Sequence, residues 1–235
     1  MIELGSGSGF MENETTPSNA KINRFVESLL EWHKTNNRNY FFWRNTKNPY
    51  HVLIAELMLQ KTTAKQVQGL IEKFLEKFPM ILDLEKADIK EIEKLIAPLG
   101  MEHRRARVLK GLAEAVVEKH KGQVPYSEVE LIDLPGIGRY IANSVLCLAF
   151  GRETPLLDTN IVRILERVFN IRSKKARART DSMIWDFVKQ ITPSGRSRDV
   201  NLALLDFGAL VCLAKKPKCS ICPMTDFCLY FQDTR

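Results

Sequence analysis

Four of the chain's five cysteines crowd into its last 24 residues, spaced Cys212-x6-Cys219-x2-Cys222-x5-Cys228. A Cys-x2-Cys pair turns two thiolates toward one metal centre, and all-cysteine sites suit either zinc or an iron–sulfur cubane. This end of the chain must therefore fold as a compact ligand loop. A zinc ribbon carries two such pairs separated by a longer loop. Here one pair is flanked by single cysteines at wider spacing, which favours the cubane when read together with the hairpin described below. A reducing compartment argues against disulfides. Lys215, Lys216 and Lys218 lie inside the first cysteine interval and give the loop positive charge suited to a phosphate backbone. Cys147, alone in Val145-Leu146-Cys147-Leu148-Ala149, reads instead as a small buried hydrophobe.

Nearly every periodic segment upstream is helical. Ile22, Phe25, Val26, Leu29 and Leu30 recur on one helical face. Residues 50–60 are apolar almost throughout, which predicts a buried helix, and Val67, Leu70, Ile71, Phe74 and Leu75 mark an amphipathic one after it. Further helical patterns cover about 87–98, 103–119, 141–150, 159–169, 181–190 and 200–213. Turn signals separate them at Gly100, Lys121-Gly122, Pro135-Gly136 and Pro193-Ser194-Gly195. No alternating run is long enough for a strand, so the class is all-α without an internal repeat. With 235 residues, 45% of them hydrophobic, the chain can bury one large core or two modest ones. Residues 1–18 stand apart; their Gly-Ser-Gly-Ser-Gly reads as a disordered or artificially appended tail, and Met11 offers an alternative start.

The net charge of +7 favours a polyanionic partner or an anionic membrane surface. No apolar run approaches the ~18 residues that cross a bilayer, and no signal peptide opens the chain. A soluble, intracellular protein without a membrane partner is expected. Residues 134–140, Leu-Pro-Gly-Ile-Gly-Arg-Tyr, lie between two helical patterns. Pro135 ends the first helix, while Gly136 and Gly138 allow positive φ and leave no Cβ in the way. Successive N–H groups then point together at the N-terminus of the next helix. Such a nest suits one phosphate of a DNA backbone.

Two carboxylates draw attention by their surroundings. Glu56 lies in an otherwise apolar helix, where a charge is unfavourable unless paired or functional. Asp158, in Leu157-Asp158-Thr159-Asn160, either caps the helix starting near Thr159 or does chemistry, and both roles are compatible. Two basic runs, 103–107 and 172–179, read as solvated helix faces with some phosphate contacts among them.

Hairpin, cysteine pattern and the distance between them resemble the iron–sulfur helix-hairpin-helix DNA glycosylases, the superfamily of endonuclease III, over about residues 20–230. Within it the chain is most similar to the archaeal-type G·T mismatch thymine/uracil glycosylases, with the MutY-like adenine glycosylases second. The stretches that carry this are Phe42-Trp43-Arg44 with Asn48-Pro49-Tyr50, Ala55 through Thr63, Leu146 through Gly151, and Arg198 through Phe207.

The resemblance implies two α-helical domains with a DNA-facing cleft between them. A six-helix barrel over 45–152 would carry the hairpin; a second domain would join 19–44 to 153–235 around a [4Fe–4S] cluster ligated by Cys212, Cys219, Cys222 and Cys228. It puts Asp158 at the catalytic aspartate, stabilising positive charge on the sugar or activating water. Tyr140 stands where the bifunctional branch has a Schiff-base lysine, so lyase activity is expected to be weak or absent. Glu56 matches a glutamate that protonates the purine in adenine glycosylases and is also carried by the mismatch thymine branch. Gln60 and Lys61 occupy the wedge that fills the gap after base flipping, where adenine glycosylases have two glutamines. Gly136, Gly138 and Arg139 become the hairpin's DNA contacts.

The expected protein is a monofunctional base excision repair glycosylase. It would act as a monomer on thymine or uracil opposite guanine in double-stranded DNA, in the cytoplasm beside the nucleoid. An adenine glycosylase acting on A opposite 8-oxoguanine or G is the alternative. Those enzymes typically continue past the cluster with a domain that reads the oxidised guanine, whereas this sequence stops seven residues after Cys228, which tilts the reading to a pyrimidine. A non-catalytic helix-hairpin-helix DNA-binding module is the third reading, but it would need none of Asp158, Tyr140 and Glu56.

Overall fold

The computed structural model describes residues 17–234, and among them it contains helices and connections but no strand. The first half holds α1 (Asn19–Asn36), α2 (Pro49–Leu59), α3 (Ala64–Lys77), α4 (Ile81–Lys86), α5 (Ile89–Ile96) and α6 (Glu102–His120). The second holds α7 (Glu128–Ile132), α8 (Arg139–Leu148), α9 (Thr159–Phe169), α10 (Ser182–Gln190), α11 (Ser197–Leu210) and α12 (Leu229–Asp233). The all-α class is as expected. Short helices α4, α7 and α12 escape the periodicity because five or six residues do not repeat a 3.6-residue pattern.

Side-chain oxygens start several helices: Ser18 for α1, Asn48 ahead of Pro49 for α2, and Asp181 for α10. Thr63 and Gln66 cap α3 reciprocally. Ser18 therefore belongs to the fold and not to the expected tail, of which residues 1–16 lie outside the described residues.

The apolar faces gather in two cores. The first is built on α2–α8, with Leu53, Ile54, Phe74, Ile92 and Leu112 fully buried. Phe41 and Trp43, which stack at 4.7 Å and 10°, join this core from the segment before α2. The second brings α1 to the C-terminal helices: Phe25 meets Phe169 edge-on at 5.1 Å, and Trp32 meets Phe207 at 5.3 Å. Tyr140, at the start of α8, packs against both cores. No helix among the described residues is long and apolar enough to cross a membrane.

Candidate active site and cluster loop

Asp158 reaches its position because the extended segment before it is pinned from below. Asn201, fully buried on α11, donates its Nδ2 to Thr154 O at 2.8 Å and accepts Leu156 N–H on Oδ1 at 3.0 Å. The chain then turns into α9 at Asp158. Its Oδ1 accepts the Asn160 and Ile161 backbone N–H groups at 2.9 and 2.8 Å, and its Oδ2 accepts Asn160 Nδ2 at 2.6 Å. Both sequence-level readings of this residue are compatible with that geometry: the carboxylate caps the helix, and its charge sits at the positive end of the helix dipole.

Glu56, Tyr140 and Asp158 line one cleft of about 500 Å3, with the exposed Gln60 and Lys61 at its rim. Glu56 is buried in α2 and accepts Ser144 Oγ from α8 at 2.6 Å. Burial pushes its carboxyl up to about 7, against the Ser144 hydrogen bond and the charge of Arg44, and the nearby Asp158 adds to the rise. Burial likewise pushes the Tyr140 phenol well above its ordinary value, helped by the charges of Glu56 and Asp158. The phenol therefore stays neutral across the working range.

A second buried charge was not singled out from the sequence. Asp206 on α11 is fully buried and takes five hydrogen bonds. Arg44 holds it in a fork at 2.8 Å on each oxygen, Arg38 reaches it through Nε at 2.6 Å and its backbone N–H at 2.9 Å, and His33 Nε2 lies at 3.0 Å. Burial alone would raise this carboxyl, but the His33 and Arg44 hydrogen bonds outweigh it and hold it well below the usual carboxylate range. Arg38 and Arg44 both line the cleft, so the hub fixes two cations at its wall. The polar residue inside Leu204-Leu205-Asp206-Phe207 was the available signal, of the same kind that marked Glu56.

In the hairpin, α7 ends at Ile132, ahead of Pro135. Gly136 has φ +80°, and a Cβ there would lie 2.4 Å from Val108 Cγ1, so both its expected roles hold. Gly138 differs: its φ of −109° suits any residue, and a Cβ would meet open space. It is the N-cap of α8 and makes no side-chain cap bond, which leaves the first-turn N–H groups of α8 facing outward. Gln60 is joined directly to the hairpin, since its Nε2 donates to Gly136 O at 3.0 Å. Arg139 pairs with Glu128 at 2.9 Å and stacks on Trp185 of α10, 4.1 Å from the ring centroid. Arg105, from the first basic run, is buried and spends its donors on the C-terminal end of α2, reaching Gln60 O at 2.6 Å and Thr62 Oγ1 at 2.8 Å. It braces the turn after α2, in which Lys61 adopts φ 55°.

The four clustered cysteines line one apolar-walled cavity among α9, α11 and α12. Four thiols around one cavity make an all-cysteine donor set, which fits an iron–sulfur cluster. Two donors already face the sulfurs at 3.4 Å: Arg167 Nη1 toward Cys212 and Met224 N–H toward Cys222. Burial raises the Cys222 thiol to about 11 and the Cys228 thiol as well, so a cluster bound there would displace their protons. Lys215, Lys216 and Lys218 are exposed on this loop.

The cluster loop and Asp158 are connected through α9. Asn160 holds Asp158 and accepts Arg163 Nη2 on Oδ1 at 2.9 Å. Arg163 in turn donates through Nε to Cys212 O at 2.8 Å and through Nη2 to Gly208 O at 2.9 Å.

The pattern of HhH-GPD superfamily base excision DNA repair proteins matches residues 54–190, and that of the iron–sulfur binding domain of endonuclease III matches residues 212–228. A thymine/uracil-DNA glycosylase of Pyrobaculum aerophilum is 40% identical over 225 residues, covering 94% of this chain and 98% of its own. An adenine DNA glycosylase of Buchnera aphidicola is 34% identical over 205 residues, covering 87% of this chain and 58% of its own. A solved structure described as a thermostable thymine-DNA glycosylase matches with a TM-score of 0.86 at 37% identity, covering 92% of this chain and 98% of that one.

Proposed function

Given that the chain belongs to the HhH-GPD superfamily of base excision DNA repair proteins, we propose that it is the glycosylase that hydrolyses thymine or uracil from opposite guanine in double-stranded DNA. The similarity to the thymine/uracil and thymine glycosylases over almost the whole chain supports this target. One structural observation carries the chemistry: Asp158, Glu56 and Tyr140 share one cleft beside Gln60 and Lys61. An adenine target ranks second, on the weaker match to the adenine enzyme.

Gln60 and Lys61 fill the stack while the target nucleotide rotates into the cleft. The C1′–N1 bond breaks with its electron pair leaving on the base. The Asp158 carboxylate stabilises the positive sugar and accepts a proton from the incoming water as it attacks C1′. Negative charge on the departing pyrimidine meets Arg38, Arg44 and the Glu56 carboxyl, which holds its proton up to about pH 7. The neutral Tyr140 offers no amine at its position, so the product is an abasic site and not a strand break. Gly136, Gly138 and Arg139 position the backbone. Cys212, Cys219, Cys222 and Cys228 hold the [4Fe–4S] cluster, which braces the basic loop and the second core. The two cores stand for the two domains, 45–152 and 19–44 with 153–235, except that Phe41, Trp43 and Leu202 from the second pack in the first core; the enzyme works as a monomer in the cytoplasm beside the nucleoid.

A single-turnover excision panel with T·G, U·G, A·G, A·8-oxoguanine and thymine glycol duplexes tests the reading. Thymine and uracil opposite guanine should be released. Release of adenine with neither thymine nor uracil would overturn it. Asp158→Asn keeps a capping oxygen, so it should fold and bind DNA while excision falls by about 10²–10³-fold or more.

A further inference from the structure

A second cavity, of about 440 Å3, lies beside the excision cleft, and the two share Gln60, Lys61 and Arg179. Its floor is apolar, with Leu57, Ile96 and Leu99. Its rim is basic and takes one arginine from each of the two basic runs, Arg104 from α6 and Arg179 from the turn before α10. Arg179 is exposed, and among the described residues its guanidinium makes no hydrogen bond or ion pair. Its backbone is nevertheless held firmly. The Arg179 carbonyl accepts Trp185 Nε1 at 2.8 Å, the same indole carries Arg139 of the hairpin on its face, and the turn is closed by Ser173 Oγ donating to Asp181 at 2.6 Å. A fixed backbone thus presents an uncommitted fork of donors where the two cavities meet.

We propose that Arg179 reads the base left opposite the flipped nucleotide, and that the second cavity selects guanine there. The inference rests on the proposed function only in taking Gln60 and Lys61 as the wedge. Once the target has left the stack, its former partner lies on the other side of that wedge and can shift toward the second cavity with its major-groove edge open to Arg179. The apolar floor accepts the face of a base. The guanidinium fork has donors and no acceptor, so it matches two neighbouring acceptors on one edge. On the major-groove edge guanine presents such a pair in O6 and N7, whereas adenine sets an amino donor beside N7, cytosine presents an amino donor, and thymine presents a single carbonyl. Discrimination of about tenfold or more follows from one such bidentate contact.

The test measures binding of the cluster-loaded protein to duplexes carrying a tetrahydrofuran abasic analogue opposite G, A, C or T. Wild type should prefer G by about tenfold. Arg179→Ala should bind all four alike, and Arg179→Lys, which keeps the charge without the fork, should restore overall affinity and not the preference. Arg177→Ala, in the same run but outside both cavities, should weaken all four equally and keep the preference. The proposal is overturned if wild type shows no preference for G. It is equally overturned if Arg179→Ala keeps that preference, or weakens the four duplexes by one common factor. These duplexes hold no base to excise, so a wrong assignment of the excised base shows only in the excision panel.

Discussion

Replacing Glu56 by glutamine isolates the energy of burying its charge. The amide oxygen still accepts Ser144 Oγ, so the contact at 2.6 Å survives while ionisation is removed. In wild type, burial keeps the carboxyl protonated up to about 7, where the unfolded chain ionises near 4.5. The folded state therefore binds the extra proton over this interval. The stability it contributes is complete below pH 4.5, is lost as pH rises toward 7, and changes no further above that. At about 1.4 kcal/mol per pH unit, the whole interval is worth about 3 kcal/mol, of which about 2 kcal/mol falls between pH 5.5 and 8. Urea unfolding of wild type and Glu56→Gln across pH 5.5–8.5, with the cluster loaded, reads this directly. The variant should gain on wild type by that amount and then run parallel to it. Carbon-13 labelling of the glutamate carboxyls supplies the midpoint. A stability difference that does not move with pH, or a Glu56 midpoint near 4.5, would refute the reasoning.

Asp206→Asn should destabilise the fold by about 3–5 kcal/mol, because it removes the charge that pairs the buried Arg44 and its neighbours Arg38 and His33; unchanged urea unfolding would contradict the hub. Gly208→Ala would set a Cβ 2.7 Å from Asn160 Cβ. Overpacking of about 1–3 kcal/mol should appear as a lower melting temperature, together with slower excision because Asn160 holds Asp158. Arg163→Leu cuts the bonds to Asn160, Gly208 and Cys212 together. It should lower the excision rate and speed iron loss to a chelator, followed by the absorbance of the cluster near roughly 400 nm; a change in one without the other would separate the two sites.

What was legible in the sequence was local. The Cys-x2-Cys spacing, the Pro-Gly turn and the polar Glu56 inside an apolar helix each declare themselves within a few residues. The hub around Asp206 does not. Its cations come from residues 33–44 and its carboxylate from the other end of the chain, so only the fold brings them together. Arg105 misleads for the converse reason: it stands in a basic run whose neighbours Arg104 and Arg107 are exposed, yet it faces inward and closes the end of α2. Gly138 invited an explanation by backbone freedom that its φ does not need, while Gly208, unmarked by any motif, sits where α11 leaves no room for a Cβ against Asn160 of α9. Close approach between helices is a property of the packed pair and leaves no trace in either strand of sequence alone.

The second core has a consequence for the order of synthesis. It joins residues 22–30 to residues 156–228, while the first core draws all its buried residues but Leu202 from 41–148. A ribosome therefore delivers α1 first and its packing partners on α9 and α11 only after the whole first core has emerged. Phe25 and Leu29, fully buried in the finished protein, spend that interval without a place to dock. A nascent chain of this kind carries an adhesive helix ahead of its partners until the cysteine loop has been made, which is when a holding chaperone would find it and when a stalled ribosome would do the most harm.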